Sequence, residues 1–228
     1  MARINGSVLG SLSGRLGNFT ARTVEGKTIL AARPSSFTPC MDQTVVDNRS
    51  RFGISANFAK FVLTIGVLCN IWKSVKKTGM SVFNTVLKYN YRFSSTEMPT
   101  AQNVITPDGF NPPISSLAVD AIGISASLFA LNEAAVITPA EVNLSVAVLV
   151  CFHNPISPDS PAYQIIPAGK EIESFNFNAP YDLIIPFNDY QKNIQRQYGK
   201  NIIYLALVTK DVAGNVVRHS STYTKQSE

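Results

Sequence analysis

The hydrophobic period of this chain changes once, and that change constrains the fold more than any other feature. Across 42–77, Val45, Phe52, Ala56, Ala59, Leu63 and Val67 recur at helical spacings, and Asp42 or Thr44 is placed to cap the start. A second helical stretch over 81–93, carrying Val82, Phe83, Val86, Leu87 and Asn90, follows the Thr78-Gly79 break. After residue 113 the apolar runs are short, β-branched or aromatic, at 114–121, 122–131, 142–152, 171–177, 183–186, 202–208 and 215–223, with Pro, Gly, Asn and Asp between them. The intervening stretch holds Pro99, Pro107, Pro112 and Pro113 and reads as a linker or exposed connection. The expected fold class is therefore α+β: a Gly-rich arm with a hairpin over 1–41, a helical pair over 42–95, a linker over 96–113 and an Ig-like all-β sandwich over 114–228. The patterning leaves the strand order of the sandwich open.

The arm contains Gly6, Gly10, Gly14, Gly17 and Gly26 among Ser, Asn and Arg. Such a composition buries too little apolar surface to offset its ordering entropy, so the arm is expected to be loose alone and ordered by neighbouring molecules. Within it, 18–24 and 27–33 flank Glu25-Gly26 and predict a hairpin in which Gly26 supplies the positive φ. A last hairpin is expected at Lys210-Asp-Val-Ala-Gly-Asn215.

Charge divides the chain in the same place as the period. Residues 1–95 carry 13 Lys and Arg against 3 Asp and Glu, and residues 96–228 carry 7 against 12, so the total of +5 combines halves of +10 and −5. Charged residues make up only 15%, below the roughly 25% of an ordinary soluble domain, which predicts surface covered by other chains. Two groups of residues are candidates for contact. The first is an assembly arm of Arg3, Gly10, Gly14, Arg15, Gly17, Asn18, Arg22, Gly26 and Arg33. The second is a basic face of Arg49, Arg51, Lys60, Lys73, Lys76, Lys77, Lys88 and Arg92, with Tyr89, Tyr91 and Phe93 interleaved near its end. Because the cations are spread rather than blocked, an acidic protein surface, including the acidic half of an identical copy, is the favoured partner, and nucleic acid is the alternative.

Motifs of chemistry are weak. The spelling Ala21 to Gly26-Lys27-Thr28 approaches a phosphate loop, but no apolar strand precedes it and an extended stretch follows, so a hairpin is the better reading. Gly10, Gly14 and Gly17 have the wrong spacing for a dinucleotide fingerprint. Cys151-Phe-His153 offers two ligands where a structural zinc takes four, and reads as a core thiol beside a strand-end histidine. Cys40, Cys69 and Cys151 do not form a disulfide framework and are expected as reduced thiols. Ser74-Val-Lys-Lys77 lacks the companion motifs of penicillin-binding enzymes, and two histidines leave little material for a triad. No catalytic, cofactor or metal site is expected. The apolar run over 61–72 is too short to span a bilayer, and Met1-Ala2-Arg3-Ile4 lacks the apolar core of a secretory signal, so neither membrane contact nor export is expected.

Gly10-Ser-Leu-Ser-Gly-Arg-Leu-Gly-Asn18, Gly26-Lys27-Thr28, Arg33-Pro34, Gln43, Arg51-Phe52, Phe58, Asn84 and Tyr89-Asn90 together resemble an uncharacterised protein family of Bacteroidota and their phages. The resemblance covers about the first 95 residues and departs from the family pattern at Thr23-Val24, where members carry an aromatic–basic pair. It implies a Gly-rich signature, a helical pair and a C-terminal β-sandwich, brings no catalytic residues, and implies a structural role. With the arm and the charge split, the expectation is a non-enzymatic virion structural protein of a tailed phage: a head–tail connector, collar or tail ring, or capsid-associated component. Its partners would be copies of itself and other virion structural proteins, assembled in the host cytoplasm. A nucleic-acid-binding packaging accessory is the competing expectation, and a surface adhesion module using loops 155–161 and 180–190 is a third.

Overall fold

The computed structural model describes residues 2–4, 12–24, 26–36 and 38–227, which divide into two compact units, Met1–Val46 and Asp47–Glu228. The first unit is a four-stranded antiparallel sheet in the order β1-β4-β3-β2, from β1 (Ala2–Ile4), β2 (Gly14–Leu16), β3 (Phe19–Val24) and β4 (Lys27–Ala32). The hairpin expected over 18–33 is present, with pairing from Phe19↔Ala32 to Val24↔Lys27 and Gly26 at φ +75°. A second hairpin joins β2 to β3 through Gly17 at φ +55°, a conformation that costs glycine little. Part of the glycine-rich stretch is thus strand rather than loose arm, while Gly6 and Gly10 lie outside the described residues.

The second unit is α+β and has three layers. Its centre is a five-stranded antiparallel sheet, β11-β10-β7-β8 with β12 also on β10, formed by β7 (Asn143–Pro155), β8 (Tyr163–Ile172), β10 (Tyr198–Lys210), β11 (Val216–His219) and β12 (Tyr223–Gln226). One face of it packs on a three-stranded sheet, β5-β6-β9, of β5 (Ile114–Val119), β6 (Gly123–Leu128) and β9 (Tyr181–Pro186). The other face packs on helices α1 (Gln43–Thr64), α2 (Gly66–Val75) and α3 (Val82–Asn90). Alternation along the two central strands serves both cores, because successive strand side chains point to opposite faces. Val146, Val148, Val150, Ile203, Leu205 and Leu207 enter the core between sheets, while Ala147, Leu149, Cys151, Ile202, Tyr204 and Ala206 enter the core beneath the helices.

Several details differ from the patterning. The helical pair is three helices: Ile65 is extended at φ −87°, ψ 109°, and α1 and α2 meet at 111°. The turn lets α2 lay Leu68, Ile71 and Trp72 onto the sheet. The buried face of α1 is Ile54, Ser55, Phe58, Ala59 and Val62, and Phe52 is 53% exposed. Among the described residues no single helix is long and apolar enough to cross a membrane.

The 96–113 stretch is largely built into the fold rather than an exposed connection. Ile105 is fully buried, Trp72 Nε1 donates to the Ile105 carbonyl at 2.8 Å, and Ile105 and Thr106 both donate backbone N–H groups to Thr222 Oγ1. The strand expected over 171–177 lies instead at β8, where Pro167 is tolerated because β8 is an edge strand. The run 215–223 divides into β11 and β12, and α4 (Asp189–Gln195) starts at a capping box in which Asn188 and Gln191 each accept the other's backbone N–H. The 210–215 hairpin is present, with Gly214 at φ +83° and the Asn215 N–H donating to Asp211 Oδ1.

Candidate assembly surface and basic cavity

Directly paired residues in an antiparallel ladder share a face. In the N-terminal sheet the pairs Leu16↔Phe19, Ala21↔Leu30 and Thr23↔Thr28 therefore lie on one face, and the pairs Arg15↔Thr20, Arg22↔Ile29 and Val24↔Lys27 on the other. The 3.4 Å contact between the Thr23 and Thr28 hydroxyls agrees with that assignment. The sheet is thus two-sided, apolar through Leu16, Phe19, Ala21 and Leu30 and cationic through Arg15, Arg22 and Lys27. Among its described side chains only Ala21 is buried, while Leu16 and Phe19 are 57% and 50% exposed.

Of the expected arm residues, Arg3 stands in β1 opposite Ile29, Gly14 and Arg15 in β2, Gly17 and Asn18 in the first turn, Arg22 in β3 and Gly26 in the second turn. The backbone N–H of Arg33 donates to the Asn18 carbonyl at 2.8 Å and extends the β3–β4 ladder. Ala21 to Thr28 is a strand, a turn and a strand, with no helix after Lys27-Thr28.

The expected basic face is brought together only in part. Lys77, Lys88 and Arg92 line one cavity of about 340 Å³ between the end of α2 and α3, with Val75, Met80, Thr85 and Tyr89. Lys60 lines a separate groove with Asn57, Leu63 and Phe83. Lys73 and Lys76 are exposed beside the end of α2 without lining the cavity, and Arg49 and Arg51 lie near the start of α1. The Tyr89 ring meets Trp72 edge-on, with centroids 5.1 Å apart and planes at 71°, and the Arg92 guanidinium lies 4.7 Å from the Phe93 ring centroid.

Sequence reading missed the buried polar groups that hold this region. Asn90 donates to the Val86 and Val104 carbonyls and accepts from the Val104 N–H and the Asn103 side chain. Glu141, whose side chain is fully buried, accepts two hydrogen bonds from Thr138 and lies 3.5 Å from Arg218 Nε. Burial would raise its carboxyl, but hydrogen bonds from Thr209 and Thr138 and the Arg218 charge outweigh that and hold it below its ordinary value. Cys151 is buried as expected, and burial pushes its thiol up to about 12. His153 is buried, its Nε2 has no hydrogen-bond partner among the described residues, and burial followed by the Lys200 charge lowers its pKa. Burial also lowers that of His219, against a smaller opposing pull from Asp108.

Both histidines therefore fold as neutral rings, whereas the unfolded chain takes up protons near 6.5. Their contribution to stability is fully present above that pH and is lost as pH falls through 6.5 towards the lower folded values. Glu141 adds a second loss below its ordinary 4.5. Thermal melts from about pH 7.5 to about pH 5.5 are expected to show a falling midpoint that His153→Gln with His219→Gln flattens. An unchanged slope in that double variant would exclude the histidines as its source.

Comparison of the chain with protein-family models, with curated proteins and with solved structures finds no match in any of the three.

Proposed function

We propose that the chain is a non-enzymatic structural protein of a phage virion, assembling through its N-terminal sheet onto copies of itself and other structural proteins of the particle. The observation that carries this reading is the exposed two-sided sheet, with Leu16 and Phe19 on its apolar face and only Ala21 buried among its described side chains. Ordering a residue costs about 1–2 kcal/mol, and a sheet becomes independently stable when an apolar face is covered. A second molecule supplies that cover. The opposite charge of the two halves orients identical copies, since the +10 part of one faces the −5 part of the next. The resemblance carried by Gly10 to Asn18, Gly26-Lys27-Thr28 and Arg33-Pro34 is what makes the assembly a virion: a connector, a collar or tail ring, or a capsid-associated layer, built in the host cytoplasm.

The strand order supports an Ig-like reading of the two facing sheets. Lettered in chain order, β5-β6-β9 corresponds to strands A-B-E and β11-β10-β7-β8 to G-F-C-C′, with β12 and the helical layer as additions. A sandwich of this kind presents its loops at two ends while the outer face of its larger sheet carries the helices.

Light scattering of the full chain is expected to give a closed oligomer. Leu16→Glu with Phe19→Glu is expected to weaken association about a thousandfold, from roughly 2 kcal/mol at each anchor, without moving the melting temperature of the second unit. Mass spectrometry of intact particles is expected to find the chain at stoichiometric copy number. A chain that stays monomeric at all concentrations and is missing from particles defeats the reading.

A further inference from the structure

We propose that the cavity between the end of α2 and α3 binds single-stranded nucleic acid, with a backbone phosphate held by Lys77, Lys88 and Arg92 and an unpaired base laid against Tyr89. The electrostatics come first. No Asp or Glu occurs between Asp47 and Glu97, so α2 and α3, which frame the cavity, supply cations and no carboxylates of their own. The ion pairs Lys210–Glu171 and Arg218–Glu141 use no cation of this cavity. Three cations therefore converge on a concave site with no anion of the protein among its lining residues. Two lysines and an arginine suit a phosphodiester, since ammonium groups meet it as point charges and guanidinium offers a planar pair of donors.

The aromatic component separates a nucleotide from a simple anion. Tyr89 is 44% exposed, yet its ring is held edge-on by Trp72, which is fully buried and hydrogen-bonded to the Ile105 carbonyl. It is a fixed, half-exposed ring beside a cationic pocket, flanked by the apolar side chains of Val75 and Met80. Rigid aromatic rings next to a cationic track are how proteins hold unpaired bases without reading their sequence. The volume of about 340 Å³ lies at the small end of ligand sites and accommodates a single residue of a strand rather than a duplex. An acidic peptide would use the cations and leave Tyr89 idle, so the nucleic acid uses more of what is there.

The test is fluorescence anisotropy of a labelled oligothymidylate with the full-length protein. Binding is expected to weaken with salt at a log–log slope of about −0.7, from the one phosphate that the three cations hold. Lys77→Gln, Lys88→Gln and Arg92→Gln together are expected to remove most of that slope and at least about tenfold in affinity, all three residues being exposed. Tyr89→Leu, which keeps an apolar group against Trp72, is expected to weaken oligonucleotide binding about tenfold while leaving pyrophosphate competition unchanged. Duplex DNA and polyglutamate are expected to compete poorly. The proposal is overturned if the oligonucleotide does not bind, or if binding survives the triple variant and is lost with Arg15→Gln and Arg22→Gln instead. It is equally overturned if polyglutamate displaces the strand as well as unlabelled oligothymidylate does, or if Tyr89→Leu has no effect in a protein whose melting temperature is unchanged.

Discussion

Trp72→Ala is expected to cost about 3–5 kcal/mol, as truncation of a fully buried large aromatic does. Trp72 is the only tryptophan of the chain and is fully enclosed in the core shared by the helices and the central sheet. Its removal opens a cavity there and leaves the Ile105 carbonyl without the 2.8 Å indole donor, adding the cost of an unsatisfied buried acceptor. Trp72→Phe keeps most of the volume but not the donor and is expected to fall in between. Urea unfolding followed by circular dichroism separates the two costs, because the variant signal does not depend on indole fluorescence. A loss below about 1 kcal/mol for Trp72→Ala would mean that the helical layer contributes little to the stability of the unit.

The second large effect is expected at Asn90. Its amide uses both donors and accepts twice, so Asn90→Leu strands the Val104 N–H and carbonyl and removes one of the acceptors of the Asn103 side chain. The expected loss is about 2–4 kcal/mol, against less than about 0.5 kcal/mol for Asn84→Leu on the exposed side of the same helix. Because Asn90 pins the end of α3 to the 103–104 segment, the same variant is expected to loosen Tyr89 and Arg92. Hydrogen exchange over α3 reads that directly, and unchanged protection at 86–92 would show that Asn90 acts on stability alone.

The parts of the fold that were legible in sequence are those where one local rule acts without competition. Short runs of β-branched and other apolar residues announced β7 and β10, and Glu25-Gly26 between two extended runs announced the β3–β4 hairpin. What stayed hidden depends on contacts distant in sequence. The stretch that forms β8, interrupted by Pro167 and Gly169, fell outside the apolar runs apart from its last residues, and only its place at the sheet edge makes Pro167 acceptable. The break at Ile65 was hidden because the helical period continues through it, although the chain turns by 111° to follow the sheet. The prolines of 96–113 suggested solvent, yet Pro99, Pro107 and Pro112 are buried, in a stretch tied to Tyr204, Ser220 and Thr222 much later in the chain.

The candidate site shows the same division. Arg15 and Arg22 were visible as cations, and Leu16 and Phe19 were present in the resemblance and hairpin segments, but only the ladder register sorts them onto opposite faces. Among the expected basic residues, composition could not single out Lys77, Lys88 and Arg92, because their convergence follows from the turn between α2 and α3. Asn90 stood in the helical spacing and in the resemblance without its buried hydrogen bonds being legible, and Asn103 carried no signal, since an asparagine near a helix end is ordinarily a solvated cap.

The double-sided use of β7 and β10 also sets an order of events during synthesis. Helices α1 to α3 leave the ribosome long before the strands they rest on, and one of the late ones, β10, supplies Ile202, Tyr204, Ala206 and Val208 to their underside, with Val216 of β11 following. Until it emerges, Phe58, Leu68 and Trp72 have only half a floor. The nascent chain therefore passes through a prolonged stage in which the apolar undersides of the helices are made before the sheet that covers them.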